Sequence, residues 1–305
     1  MIAVQTPLRA GVAALCLMLT ACAGAAVQAA PKAAVEPAAA VKLVTRMDPV
    51  LAATTALAQR HGADRVLLVF DLDSTLLRNS RQEPDIAGLK DSDPDQFRGV
   101  ERAVIYLSRL VPMEPDLAAR VAAVQAAGID VLILTARGAD MRDMTLRELA
   151  ANGFGTLRSP ECGPPLCRKR GIVPASDVLA AATAAMGADR LAAIGFARGR
   201  DITVADGVVT AAGLDKGVLL RALLASFPKS YDAVVFADDA QKNVDHVARA
   251  GAVPGQTLAI FHYRGPARTA AEDPRSRAAV DADWQSATGT ICRALAPRWC
   301  DAGAE

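Results

Sequence analysis

Val66-Leu67-Leu68-Val69-Phe70 is an unbroken apolar run closed by charge on both sides, Arg65 before it and Asp71 after it. Such a run leaves no polar face, so a strand built from it must be covered on both sides, as in a parallel sheet between layers of helix. The neighbouring sequence repeats this logic. A helix opens at Asp48-Pro49, a capping residue followed by Pro at the first helical position, and stops at Gly62. A second helix, around 116–127, ends at Gly128 and leads into the strand Asp130–Leu134. A third, around 141–151, ends at Gly153. Helical Gly217–Phe227 precedes the strand Ala233–Phe236, and helical Ala240–Ala250 ends at Gly251 before the strand Thr257–Phe261. The alternation predicts an α/β fold: a doubly wound, Rossmann-like parallel sheet with helices on both faces. Two stretches break the rhythm and read as inserts. Residues 78–113 are polar, with Pro and Gly, and sit directly after the first strand. Residues 154–213 hold a helix near Asp177–Met186 and a β-hairpin turning at Asp206-Gly207.

Charge excludes one class of partner. With 34 basic and 33 acidic residues the chain carries a net +1, which gives nucleic acid no electrostatic foothold. An apolar share of 52% excludes disorder of the whole chain. That share is uneven, because no charge interrupts the chain between Arg9 and Lys32. The apolar stretch Ala10–Leu19 runs into Leu19-Thr20-Ala21-Cys22, which resembles the lipobox of a bacterial lipoprotein signal. The resemblance implies a signal peptide over 1–21, a lipid on Cys22 and a tether over 22–47 rich in Ala, Pro and Val. Ala23, rather than Asp, after Cys22 resembles lipoproteins of the outer membrane that face the periplasm. Two other routes remain open: secretion with cleavage near Val27-Gln28-Ala29, and an uncleaved N-terminal membrane anchor. Cys162, Cys167, Cys292 and Cys300 are an even set that an exported protein can pair, the sequence-local pairing being one of three. Their spacing lacks a CxxC and no histidine is near, so zinc is disfavoured. Residues 266–305 form a polar, partly helical extension expected to pack on a domain of 48–265.

The chemistry-bearing residues follow the strands, where open α/β sheets bind ligands. Asp71-Leu72-Asp73-Ser74-Thr75 follows the first strand, Thr135-Ala136-Arg137 closes the second, Lys216 begins a helix, and Asp238-Asp239, with Asn243 nearby, follows Val234–Phe236. Each has a bland reading alone. Asp73 and Thr75 could be turn residues, Asp238-Asp239 a helix N-terminus, and Lys216 a solvated lysine. His61, His246 and His262 carry no motif, and surface or helix-end positions would explain them.

Taken in order, the four motifs resemble the haloacid dehalogenase (HAD) superfamily: DxDxT after an apolar strand, a Thr ending a strand, a Lys before a helix, and an acidic pair after another strand. The resemblance covers roughly residues 48–265 and implies that the insert 78–113 forms a small lid over a fairly open site. Leu134–Arg137, Asp206–Gly217 and Asp238–Asn243 resemble a little-characterised family of exported bacterial HAD-like domains. The class C acid phosphatases, also lipoproteins with this core, match less well at the second and fourth motifs.

The resemblance implies a Mg²⁺-dependent phosphatase acting on a small phosphorylated substrate. Asp71 would be the nucleophile, an already ionised carboxylate that forms an aspartyl-phosphate. Mg²⁺ would be held by the carboxylates of Asp71 and Asp238, by Asp239 directly or through water, and by the carbonyl of Asp73. The Asp73 side chain would protonate the leaving group and then activate water. Thr135, Ala136, Arg137 and Lys216 would meet the phosphate, with Arg137 open to a second role as the start of the next helix. Two alternatives remain: an envelope lipoprotein that uses the core only as a binding scaffold, and a phosphotransferase. The oligomeric state is not readable.

Overall fold

The computed structural model of the chain describes residues 40–80, 109–166 and 171–266, together with Ala282 and Ser286. The first half contains β1 (Val41–Val44), α1 (Asp48–His61), β2 (Val66–Phe70), β3 (Leu77–Asn79), β4 (Leu110–Pro112), α2 (Leu117–Ala126), β5 (Asp130–Thr135) and α3 (Arg142–Ala151). The second contains β6 (Ile172–Val173), α4 (Ala175–Met186), α5 (Ala188–Ile194), β7 (Ile202–Ala205), β8 (Val208–Thr210), α6 (Lys216–Ser226), β9 (Ala233–Asp238), α7 (Gln241–Ala250) and β10 (Thr257–Tyr263).

Among the described residues, eight strands make one sheet in the order β1-β10-β9-β2-β5-β8-β7-β6. From β1 to β8 every adjacent pair is parallel, and β7 runs antiparallel to both β8 and β6. The central strands are buried on both faces, as the apolar runs require. Leu67 and Val69 of β2, with Val234 and Phe236 of β9, face a core built with α4, α6 and α7. Val66, Leu68 and Phe70, with Val235 and Ala237, face a second core built with α1 and α2. Each fully buried Leu, Val or Phe contributes about 1.5–3 kcal/mol relative to exposure. The result is an α/β fold with a mostly parallel sheet flanked by helices, compatible with a Rossmann-like arrangement.

Three sequence expectations are corrected. The tether does not reach residue 47, because Val41–Val44 pairs with β10 in register Val41↔Ile260. Its edge position leaves Val41, Lys42 and Leu43 exposed, so no apolar pattern marked it. The hairpin at Asp206-Gly207 exists, but β8 pairs with β5 and widens the main sheet. With Val173, Val178, Phe196 and Ile202 in the first core, much of 154–213 belongs to the body of the fold rather than to an insert. The α1 helix includes Asp48, with Met47 at its N-cap and no side-chain cap. Asp48 instead accepts from Arg120 Nη1 at 2.6 Å.

Of the lid expected over 78–113, the described parts form the base of an antiparallel ribbon, β3 with β4. Residues 1–39 (the expected signal, Cys22 and most of the expected tether), residues 81–108, Cys167 and nearly all of the expected C-terminal extension, including Cys292 and Cys300, lie outside the described residues. Cys162 packs half-buried against the first core. No helix among the described residues is long and apolar enough to cross a membrane.

Candidate functional site

Parallel register brings the expected residues to one edge of the sheet. Phe70 is level with Ala237 on β9 and with Ile133 on β5. Asp71, Asp238 and Thr135 therefore stand at the carboxyl ends of three adjacent strands. The Asp71 N–H donates to Ala237 O at 2.9 Å, continuing the ladder one step into the loop. The loop then closes tightly: Leu76 and Leu77 N–H groups both return to Leu72 O, at 2.9 and 3.0 Å. Ser74 sits at φ 59°, a left-handed conformation that a serine adopts only under constraint. Thr75, fully buried, spans the site: its Oγ1 lies 3.4 Å from Asp71 Oδ2 and accepts the Asp239 N–H at 3.1 Å.

Lys216 arrives from the other side. Its helix is capped by Asp215, which accepts the Val218 N–H at 3.0 Å. Behind it Gly217 lets α6 press against α7, since a Cβ there would lie 2.1 Å from His246 O. Lys216 is 0% exposed, which overturns the reading of a solvated lysine. Its ammonium donates to Asp71 Oδ1 and, at 2.7 Å, to Asp238 Oδ2. Asp238 Oδ1 also accepts from Ala240 N–H at 2.9 Å and Asn243 Nδ2 at 3.0 Å. Asn243 thus orients Asp238.

Among the described residues, ligand atoms of Asp71, Asp238 and Asp239 lie within 4.8 Å of one another, a group that could hold a metal ion. Three carboxylates face one ammonium. Burial pushes the Asp71 carboxyl well above the usual range, against the pull of Lys216, and Asp238 adds to the rise. Burial and Asp238 likewise push Asp239 up to about 6. Burial works against the Lys216 ammonium, but Asp71 and Asp238 outweigh it and raise its pKa. The cluster is short of positive charge.

Asp73, expected to offer the metal its backbone carbonyl, turns its carboxylate to Arg137. Both oxygens are held by Arg137, Oδ2 by Nε at 2.9 Å and Oδ1 by Nη2 at 2.7 Å. The pair is lopsided, with the Asp73 side chain 44% exposed and that of Arg137 2%. Arg137 is anchored from behind by Thr145 Oγ1 at 3.1 Å, which itself donates to Met141 O at 2.8 Å. Arg137 therefore holds Asp73. Thr135 is fully buried and its Oγ1 accepts the Arg137 N–H at 3.3 Å, while Ala136 is exposed.

Two contributors escaped the sequence reading. His262, expected at a surface or helix end, is buried on β10, with Nε2 2.8 Å from Asp239 O. Thr145 lies eight residues from Arg137 and carries no motif. Beside the cluster a cavity of about 340 Å³ is lined by Ser74, Arg78, Asn79, Met113, Asp239 and Arg264.

Neither a curated protein nor a solved structure matches the chain. A family model matches residues 89–294, about two thirds of the chain, taking in Thr135, Arg137, Lys216, Asp238 and Asp239 but starting after Asp71 and Asp73. By that match the chain belongs to the family described as Protein of unknown function (DUF2608).

Proposed function

We propose that the chain is a Mg²⁺-dependent phosphomonoesterase of the haloacid dehalogenase type. The observation that carries the reading is a buried ammonium shared by Asp71 and Asp238, within a three-carboxylate group that needs more positive charge. The donor set is all carboxylate oxygen, which suits a hard divalent cation. Asp71, Asp238 and Asp239 would hold it. When bound, Mg²⁺ supplies charge neutralisation to the crowded carboxylates and to the phosphoryl oxygens.

The chain's own residues divide the remaining work. An Asp71 oxygen attacks phosphorus, the bond from phosphorus to the ester oxygen breaks, and that oxygen takes a proton from Asp73. Water then gives a proton to Asp73 and attacks the aspartyl-phosphate, freeing Asp71 and inorganic phosphate. Lys216 keeps a fixed positive charge against Asp71 throughout. Arg137 fixes the direction of the Asp73 carboxylate while leaving it open to solvent and substrate. The envelope location belongs to the same proposal, with Cys22 lipidated and the tether ending before Val41.

The test is hydrolysis of p-nitrophenyl phosphate and a phosphomonoester panel by the full-length chain with Mg²⁺. Asp71→Asn should lower turnover at least about a thousandfold, the scale seen when a nucleophile is removed. Equal rates in the variant, or no metal-dependent turnover on any ester, would sink the reading. Phosphate transfer to added alcohols in place of release would assign a phosphotransferase instead.

A further inference from the structure

The two acids at the end of β9 are held by different means. Asp238 is fixed through its side chain: Oδ1 accepts from the Ala240 N–H and from Asn243, and Oδ2 accepts from Lys216. Asp239 lies one residue past β9 and is gripped through its backbone. Its N–H donates to Thr75 Oγ1 at 3.1 Å, and its carbonyl oxygen lies 2.8 Å from His262 Nε2. A carbonyl oxygen only accepts, so Nε2 carries the hydrogen. Thr75 belongs to the loop after β2 and His262 to β10, so side chains from two separate elements close on one residue. An aspartate has only two side-chain torsions, each confined to a few wells. The backbone of Asp239 therefore decides where its carboxylate points.

His262 is itself firmly placed. It is buried and level with Asp238 in the β10–β9 register. Phe261 before it is part of the second core. After it, the Tyr263 hydroxyl donates to Glu114 Oε1 and the Arg264 N–H to Val44 O. The proposed hydrolysis makes no use of this ring. Resting on the reading of the cluster as a Mg²⁺ site, we propose that His262 is a positioning residue, whose hydrogen bond to the Asp239 carbonyl sets the Asp239 carboxylate in place for the cation. Side chains that orient a metal ligand without touching the metal govern about tenfold to a hundredfold of its affinity. An apolar residue of similar size would fill the space and leave the Asp239 carbonyl without this donor.

The experiment titrates Mg²⁺ calorimetrically into the full-length wild type, His262→Phe and His262→Gln, with urea unfolding in chelator run beside it. His262→Phe should raise the Mg²⁺ Kd about tenfold. His262→Gln, whose amide nitrogen can donate from nearly the same place, should recover most of that affinity. A purely structural histidine would lower stability in chelator without changing the Kd of the folded chain. An unchanged Kd in His262→Phe therefore overturns the proposal, and so does a loss of affinity that His262→Gln does not recover. If His262→Phe does not fold, His262→Met, unbranched and without a donor, takes its place. Failure of both to fold makes the residue structural and overturns the proposal as well. No Mg²⁺ binding in the wild type overturns the cation reading itself, and the proposal falls with it.

Discussion

Glu114 and the Asp71–Asp238–Asp239 group are both buried carboxylate sites, and they are neutralised in opposite ways. Glu114 Oε1 accepts from the Met47 N–H at 2.7 Å and from the Tyr263 hydroxyl at 3.0 Å. Its Oε2 is bonded to Arg120 and lies 3.3 Å from Arg46 Nη2. One carboxylate meets two guanidiniums, a hydroxyl and an amide, so nothing further is required. At the other site three carboxylates meet one ammonium. Burying charge is tolerable only when it is paired and hydrogen-bonded. The Glu114 network ties the segment after β1 to α2 and β10 and is complete as structure. The aspartate group has fewer positive partners than carboxylates and could hold a metal ion.

The largest expected effect tests that shortfall. Mg²⁺ at a hundredfold excess over its Kd should stabilise the wild type by about 3 kcal/mol, read by thermal unfolding, and Asp238→Asn should abolish the shift. An equal shift in both proteins would place the cation elsewhere. Next, Glu114→Gln should cost about 2 kcal/mol in urea unfolding, because two guanidiniums lose their anion, with no change in the Mg²⁺ shift. A loss of the shift would mean that the two sites are not independent. Arg137→Lys should then lower kcat about tenfold with little change in KM, since an ammonium cannot grip both Asp73 oxygens. A rise in KM alone would make Arg137 a substrate contact instead.

The smallest effect is in pH. Asp239 is raised to about 6 in the folded metal-free chain, against an ordinary value near 4. Between those values the folded state binds the proton more tightly than the unfolded state, so stability falls as pH rises through the window. With a chelator present, the wild type should lose on the order of 1 kcal/mol between pH 4 and 6 relative to Asp239→Asn. The Arg65–Asp232 pair gives the opposite sign at the surface. Its hydrogen bond to Arg65 lowers the Asp232 pKa, so its contribution fades as pH falls. Parallel pH curves for wild type and Asp239→Asn would contradict the crowded-carboxylate picture.

The buried strands were legible because their apolar runs are local: β2, β5, β9 and β10 lie where the runs lie, and helices stop at or near Gly62, Gly128, Gly153 and Gly251. The exposed edge strand β1, the two-residue β6 and the short α5 carry no such pattern. Asp71, Lys216 and Asp238 were legible because each lies at the end of an apolar strand run or opens a helix. Arg137 was visible as a residue, but its partner was not, since Asp73 lies 64 positions away. His262 falls just past the strand read over Thr257–Phe261 and carries no motif, and only the β10–β9 pairing brings it to the Asp239 backbone.

By itself the sequence determined the kinds of element, their buried faces and the acids and lysine at their ends, because periodicity and turn chemistry act over a few residues. Tertiary structure alone decided the strand order that joins the hairpin to β5 and β1 to β10. It also decided that Lys216, 145 positions from Asp71, lies between two buried carboxylates. Those outcomes depend on register between distant strands, and register is set by packing the whole sheet against both helical layers at once.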